Sequence, residues 1–148
     1  MYSPEKDIPS IAFILYRCAI AFKNELNKEF LKEFGEELTT DSWFILSALW
    51  EEDNILQGLL AERVSRDKAS LSRTLDMMEQ QGLIIRSIDA KDKRGSKVIL
   101  TNKSVELREM TTKIAVEFSN KELKVLSPIE VKELVRMINK VFDNLQGE

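Results

Sequence analysis

The sequence predicts a mainly α (α+β) fold, and three observations carry that prediction. Hydrophobic residues fill 43% of the 148 positions while Gly and Pro number only 5 and 3, a composition that favours helices over turns and strands. Stretches at 10–34 and 128–145 repeat apolar residues every three or four positions, the spacing that lines up one face of a helix. Between them, Leu83-Ile84-Ile85 and Lys97-Val98-Ile99-Leu100 are short β-prone runs flanking the polar segment Asp89–Gly95, the pattern of a hairpin with a long tip. A chain of this length suits one domain, 1–148, with a sizeable core and no room for a second.

After a short lead-in, Pro4–Pro9, a helix is expected from Ser10 to about Phe34. Ile11, Leu15, Cys18, Phe22, Leu26 and Phe30 form its stripe, and Lys23, Glu25, Lys28, Glu29, Lys32 and Glu33 its wet side. Such a helix is about 37 Å long, too long to lie wholly against one small lobe. Gly35 ends it. Leu38-Thr39-Thr40-Asp41 signals a second helix running to Trp50, with Phe44, Leu46, Ala48, Leu49 and Trp50 as candidate core. Asp53–Leu56 is a connector able to add a strand bridge to the hairpin.

Gln57–Val64 reads as a short helix with Leu59, Leu60 and Val64 inward. Ser65 and Arg66 join it to a further helix that Asp67 caps and Gly82 ends. There Leu71, Leu75 and Met78 fall at i, i+4 and i+7 on one face, leaving Ala69, Ser70, Arg73, Met77 and Gln80 on the other side. Beyond the hairpin, Thr101 caps a helix carrying Leu107, Met110, Ile114 and Phe118 to about Glu122. Ser127, Pro128 and Glu130 then make a capping box, and the last helix repeats Val131, Leu134, Val135, Ile138, Val141, Phe142 and Leu145 in a heptad-like series.

Two short helices joined by a tight turn and followed by a basic hairpin make a winged helix-turn-helix. The lobe spans 37–101, and 1–36 and 102–148 supply long N- and C-terminal dimerisation helices. The runs LTTDSWFILSALWEE, LLAERV, DKASLSRTLDMMEQQGLIIR, DKRG and ILT resemble the multiple-antibiotic-resistance repressor (MarR) family of bacterial transcription regulators. Nearly the whole chain takes part in the resemblance, and Asp92-Lys93-Arg94-Gly95, at its distance from the second helix, is the most specific part. Family members commonly have Gly where Ser104 stands, a change inside a first helical turn that is expected to matter little.

Two absences prune the function classes. The chain has no histidine and a single cysteine, which removes the commonest general base and metal ligand and any internal disulfide. No P-loop, dinucleotide fingerprint or nucleophile elbow appears, so no enzyme, no cofactor and no metal is expected. The longest apolar run, Ile11–Tyr16, is too short for a bilayer, and no secretory leader precedes it. A cytoplasmic protein without a membrane partner is the expectation.

Net charge is −3, yet its distribution is uneven. Residues 41–62 hold five acids and no base, whereas Arg63–Arg73 has four bases against Asp67, and Arg86–Lys97 five bases against Asp89 and Asp92. A charge run alone is equally well a solvated surface. Both runs here fall on the helix and the wing that such a lobe presents to DNA, which points to double-stranded DNA as partner. Lys68, Ser70, Ser72 and Arg73 are the candidates at the start of the recognition helix, with Arg73 suited to bidentate contact with guanine. A surface ion pair with Asp76 or Glu79 is the plainer alternative for Arg73. Arg66, Arg86, Lys91, Lys93 and Lys97 are candidates for the phosphate backbone. Arg94 resembles the family's wing arginine that enters the minor groove. Asp92 is expected to orient Arg94 or brace the wing's turn.

The first and last helices carry more apolar stripe than the lobe can bury, which favours a two-fold homodimer over a pair of helices covering each other within one chain. The resemblance implies the same dimer. Two recognition helices related by a dyad reach major grooves about 34 Å apart, so the operator should be a pseudo-palindrome. The resemblance also implies a repressor released by a small aromatic or anionic effector bound between the dimer helices and the DNA lobe; Trp43, Phe13 and Met110 could line such a cavity. Some regulators of this kind respond instead to oxidation of a cysteine in the first helix. Cys18 stands there, but on the apolar stripe beside Leu15 and Phe22, where a free cysteine behaves as a small hydrophobe. A winged helix that binds an acidic protein rather than DNA is the alternative of a different class.

Overall fold

The computed structural model describes residues 10–88 and 95–147, and the lead-in Pro4–Pro9 lies outside them. By packing, the chain forms two units, 1–114 and 115–148, with the division falling inside the fifth helix.

In the first unit α1 (Ile11–Phe34) starts at Ser10, whose hydroxyl accepts from the Phe13 amide at 3.2 Å, and stops where Gly35 takes φ +60°. Only its C-terminal half is core: Leu26 and Phe30 are buried, whereas Ile11, Leu15 and Cys18 of the expected stripe are exposed and Phe22 is half-buried. The stripe is continuous in sequence, but this unit offers nothing to cover its first half.

α2 (Thr40–Glu51) is capped by Thr39, whose hydroxyl accepts from the Ser42 amide at 3.1 Å. Lys23 pairs with Asp41 at 3.1 Å, and the Asn27 side chain accepts from the Thr40 amide at 2.9 Å, which fixes α1 against α2. Ile45, Leu46 and Leu49 are its buried apolar residues, with Thr40 and Ser42 buried at its start. Phe44, expected in the core, is 45% exposed, and Ile45 occupies the inward position one residue on.

β1 (Ile55–Leu56) leads directly into α3 (Gln57–Arg63). Leu60 and Ala61 are the buried pair in α3; Leu59, expected inward, is 40% exposed and Val64 is half-buried. Ser65 turns the chain at φ +51° into α4 (Lys68–Gln80), where the Asp67 carboxylate accepts from the Ser70 amide at 2.8 Å. Leu71, Leu75 and Met78 are fully buried, as the spacing predicts, and Gly82 leaves the helix at φ +72°.

β2 (Ile84–Ile88) and β3 (Ser96–Leu100) form the hairpin, and β1 adds to β3 on its other side, giving the antiparallel order β1-β3-β2. Ile55 faces Val98 across one pair and Arg86 faces Val98 across the other. Val98, Ile84 and Leu83 close the core from the sheet side, against the buried residues of α2, α3 and α4.

α5 (Asn102–Glu122) begins at Thr101, whose hydroxyl donates to the Gly82 carbonyl at 2.6 Å and ties the helix to the end of α4. Its buried positions are Ser104, Thr111, Ala115 and Phe118; of the expected series only Phe118 is buried, Leu107 and Ile114 are half-buried and Met110 is 49% exposed. Small hydroxyl residues can replace apolar ones here because each satisfies itself: Ser104 donates to Thr101 O at 2.9 Å and Thr111 to Leu107 O at 2.8 Å. Ser104 also matters more than its place in a first turn suggests. It is fully buried, and its carbonyl accepts from the Trp50 indole at 3.2 Å.

In the second unit α6 (Pro128–Gln146) opens with the complete capping box. The Ser127 amide donates to Glu130 at 2.7 Å and holds the Glu130 carboxyl below its usual 4.5, so that contribution is present above 4.5 and is lost as pH falls below it. Ser127→Ala is expected to lower stability by about 1 kcal/mol, read from urea unfolding. No residue of α6 is buried, and Val135, Ile138, Val141, Phe142 and Leu145 are between 46% and 74% exposed.

Candidate nucleic-acid interface

The lobe locks α4 by one face and presents the other. Lys68 and Arg73 are exposed on it, while Ser70 and Ser72 are half-buried beside them. A short interior side built from Leu71, Leu75 and Met78 gives the helix no freedom to roll, so the position of Arg73 is set by core packing rather than by its own contacts.

Arg73 makes no ion pair among the described residues. The carboxylates that were the alternative partners, Asp76 and Glu79, are both taken by Arg86 from β2. Arg86, expected among the backbone-contacting cations, thus has its guanidinium held against α4 with its side chain 21% exposed. That arrangement is invisible in sequence except as an acid pair spaced i, i+3 near the end of one element and a base in the next. The Arg86 guanidinium, by its side-chain hydrogen bond, holds the Glu79 carboxyl below its usual 4.5.

Arg66 plays two parts. Its Nη2 donates to the Ser70 hydroxyl at 2.8 Å, bracing the first turn of α4 against the turn that precedes it, and its Nη1 is buried without a partner among the described residues. Lys97 lies half-buried in β3, opposite Leu56 on one side and Ser87 on the other. Lys91, Asp92, Lys93 and Arg94 lie outside the described residues. The two strands that lead to them are in place, with Ile88 facing Ser96 as the last pair.

Cys18, expected to be buried, is exposed, and Leu15 near it is 44% exposed. Trp43, Phe13 and Met110 are not among the residues lining the cavity between α1, α2 and the α3–α4 turn. Trp43 is half-buried against Phe30 with ring centroids 5.5 Å apart, and Phe13 is 50% exposed. The cavity itself is about 590 Å³, with Lys23, Asp41, Phe44, Glu51, Arg63 and Arg66 on its walls. Lys23 is neutralised by Asp41 and Arg63 by Glu52, which leaves Arg66 as the lining cation without a carboxylate among the described residues. No helix among those residues is long and apolar enough to cross a membrane.

Comparison with known proteins places this geometry. Residues 38–96 match the family model described as the MarR family. The HTH-type transcriptional regulator SarZ of Staphylococcus saprophyticus is 28% identical over 136 residues, covering 89% of this chain and 90% of that protein. Among solved structures, a MarR transcriptional regulator from Methanosarcina mazei superposes with a TM-score of 0.81 at 23% identity, over 93% of this chain and 96% of that one. A MarR family regulator from Listeria monocytogenes, solved in complex with a 26mer DNA, gives 0.78 at 24% identity over 93% and 90%. At those identities the structural likeness establishes the fold.

Proposed function

From the match of residues 38–96 to the MarR family model and from the geometry of α4, we propose that this chain is a MarR-type regulator, a homodimeric repressor that binds a pseudo-palindromic operator and leaves it when a small effector binds. The observation that carries the proposal is α4: a helix pinned by Leu71, Leu75 and Met78 that turns Lys68 and Arg73 outward, beside a hairpin leading into the chain's other basic segment. Lys68 and Arg73 can then meet phosphate and base edge, and Lys91, Lys93, Arg94 and Lys97 would extend the contact along the duplex.

Dimerisation is supported by what stays uncovered in each unit. α6 buries nothing, and the first half of α1 exposes Ile11, Phe13, Ile14, Leu15 and Tyr16. Contiguous apolar faces of that extent are characteristic of association surfaces. For the effector, the 590 Å³ cavity has the size of a small-molecule site. Phe44 offers an apolar wall and Arg66 an uncompensated cation, suited to a small aromatic anion. Since Arg66 also holds Ser70, a ligand that draws its guanidinium away would loosen the first turn of the recognition helix.

A salt titration on duplex DNA tests the DNA-binding step. The affinity is expected to fall steeply, with a log–log slope of about −0.9 for each phosphate neutralised. Absence of any duplex binding, down to low salt and after selection from random sequences, would leave the acidic-protein module as the better reading.

A further inference from the structure

Asp76 and Glu79 present a contradiction if α4 faces DNA. Both are exposed, both lie on the recognition helix, and by Coulomb's law both should repel a phosphate backbone. Their contacts give another reason for their presence. Arg86 Nη2 reaches Asp76 Oδ1 and also Glu79 Oε1, the latter at 3.4 Å, while the Arg86 amide donates to Glu79 Oε2 at 2.9 Å. Glu79 therefore holds one residue of β2 twice, by side chain and by main chain.

The main-chain bond has a structural meaning of its own. β2 is an edge strand in the order β1-β3-β2, and Arg86 stands opposite Val98 of its single neighbour. An amide that the open edge would leave to solvent is instead taken by a carboxylate from α4. The helix that would read the operator and the strand that leads into the wing are thereby joined by three bonds, in addition to the short link through Gln81, Gly82 and Leu83.

We propose that Asp76 and Glu79 strengthen DNA binding, by acting through Arg86 to hold α4 and the wing strand in one fixed relation, so that both reach the duplex without a loss of order on binding. This inference rests on the DNA-binding reading above. Arg86 is then a positioning residue rather than a phosphate contact. Pure electrostatics predicts the opposite sign for the acid pair, because removing two negative charges should tighten binding to a polyanion. The clamp also depends on the planar fork of an arginine, which a lysine carries as a point charge only.

The experiment uses the full chain and a duplex selected from random DNA, with Kd measured at several salt concentrations. For Asp76→Asn/Glu79→Gln we expect Kd to rise about threefold to tenfold despite the gain of positive charge. For Arg86→Lys we expect a similar rise with the parent's salt slope, because no phosphate contact is lost. Circular dichroism melting of each variant establishes that it is folded at the temperature of the titration. Binding by the acid-pair variant that equals or exceeds the parent's overturns the proposal. So does parental affinity in Arg86→Lys joined to a slope shallower by about 1.8 in Arg86→Gln, about 0.9 for each protomer of the dimer, which would make Arg86 a phosphate contact. A parent protein that binds no duplex fails the DNA-binding reading itself, a result distinct from either.

Discussion

Ile138→Asp is expected to convert the protein to a monomer and to weaken binding to a palindromic duplex by about 100-fold or more. α6 carries Val131, Leu134, Val135, Ile138, Val141, Phe142 and Leu145 along one side and buries none of them. A two-fold interface meets every substitution twice, so a single Asp places two carboxylates in one apolar seam. Each loses its hydration with no cation opposite, a cost of several kcal/mol. Once separated, a monomer can hold only one half-site, and the gain from linking two recognition helices disappears. Sedimentation and a titration on duplex DNA read the two consequences separately. Lys140→Gln, on the opposite side of the same helix, changes charge by the same amount and should leave both unchanged. A dimeric Ile138→Asp protein with parental affinity would remove α6 from the interface.

The same uncovered faces explain what sequence could and could not tell. In α4, which packs within its own unit by one face, periodicity located the inward residues correctly: Leu71, Leu75 and Met78 are all fully buried. In α1 the identical kind of pattern runs from Ile11 to Phe30, yet only Leu26 and Phe30 are buried in this chain. Hydrophobic spacing reports that a face is to be covered and says nothing about whether the cover comes from the same molecule. Cys18 was misplaced for that reason.

Other differences come from chemistry that hydrophobicity does not measure. In α5 the inward line passes through Ser104 and Thr111, whose hydroxyls bond to Thr101 O and Leu107 O, so Met110 faces out although it is the more apolar side chain. In α2 Ile45 lies inside in place of Phe44, one position earlier, and in α3 Ala61 lies inside in place of Leu59, two positions earlier. Short helices contacting neighbours on several sides do not have one clean stripe to read. Arg86 required the return of the hairpin to bring it within reach of Asp76 and Glu79, which lie ten and seven positions earlier in the chain. Among the described cations, only tertiary structure separates Arg86, paired with two carboxylates of α4, from Arg73, which has no ion pair among the described residues.

Arg73 is the sharpest test of that separation. Its former alternative partners are occupied by Arg86, it is exposed on α4, and the buried side of the helix fixes the direction in which it projects. An arginine in that position can offer two parallel donors to the O6 and N7 acceptors of guanine, a contact that only one base pair satisfies. Arg73→Ala is therefore expected to cost about 1–3 kcal/mol on the selected operator, roughly 5-fold to 150-fold in Kd, with the penalty confined to one base pair in each half-site. Arg73→Lys keeps the charge and loses the fork, so it should recover non-specific affinity without recovering the base preference. Lys68→Ala provides the contrast. If it contacts phosphate, affinity falls by a similar factor on every sequence and the salt slope drops by about 1 for each protomer, about 2 for the dimer. Selecting bound duplexes from random DNA with each variant distinguishes the two patterns. Should Arg73→Ala return the parental consensus with parental affinity, the base-reading role would pass to another exposed position on α4 or to the wing.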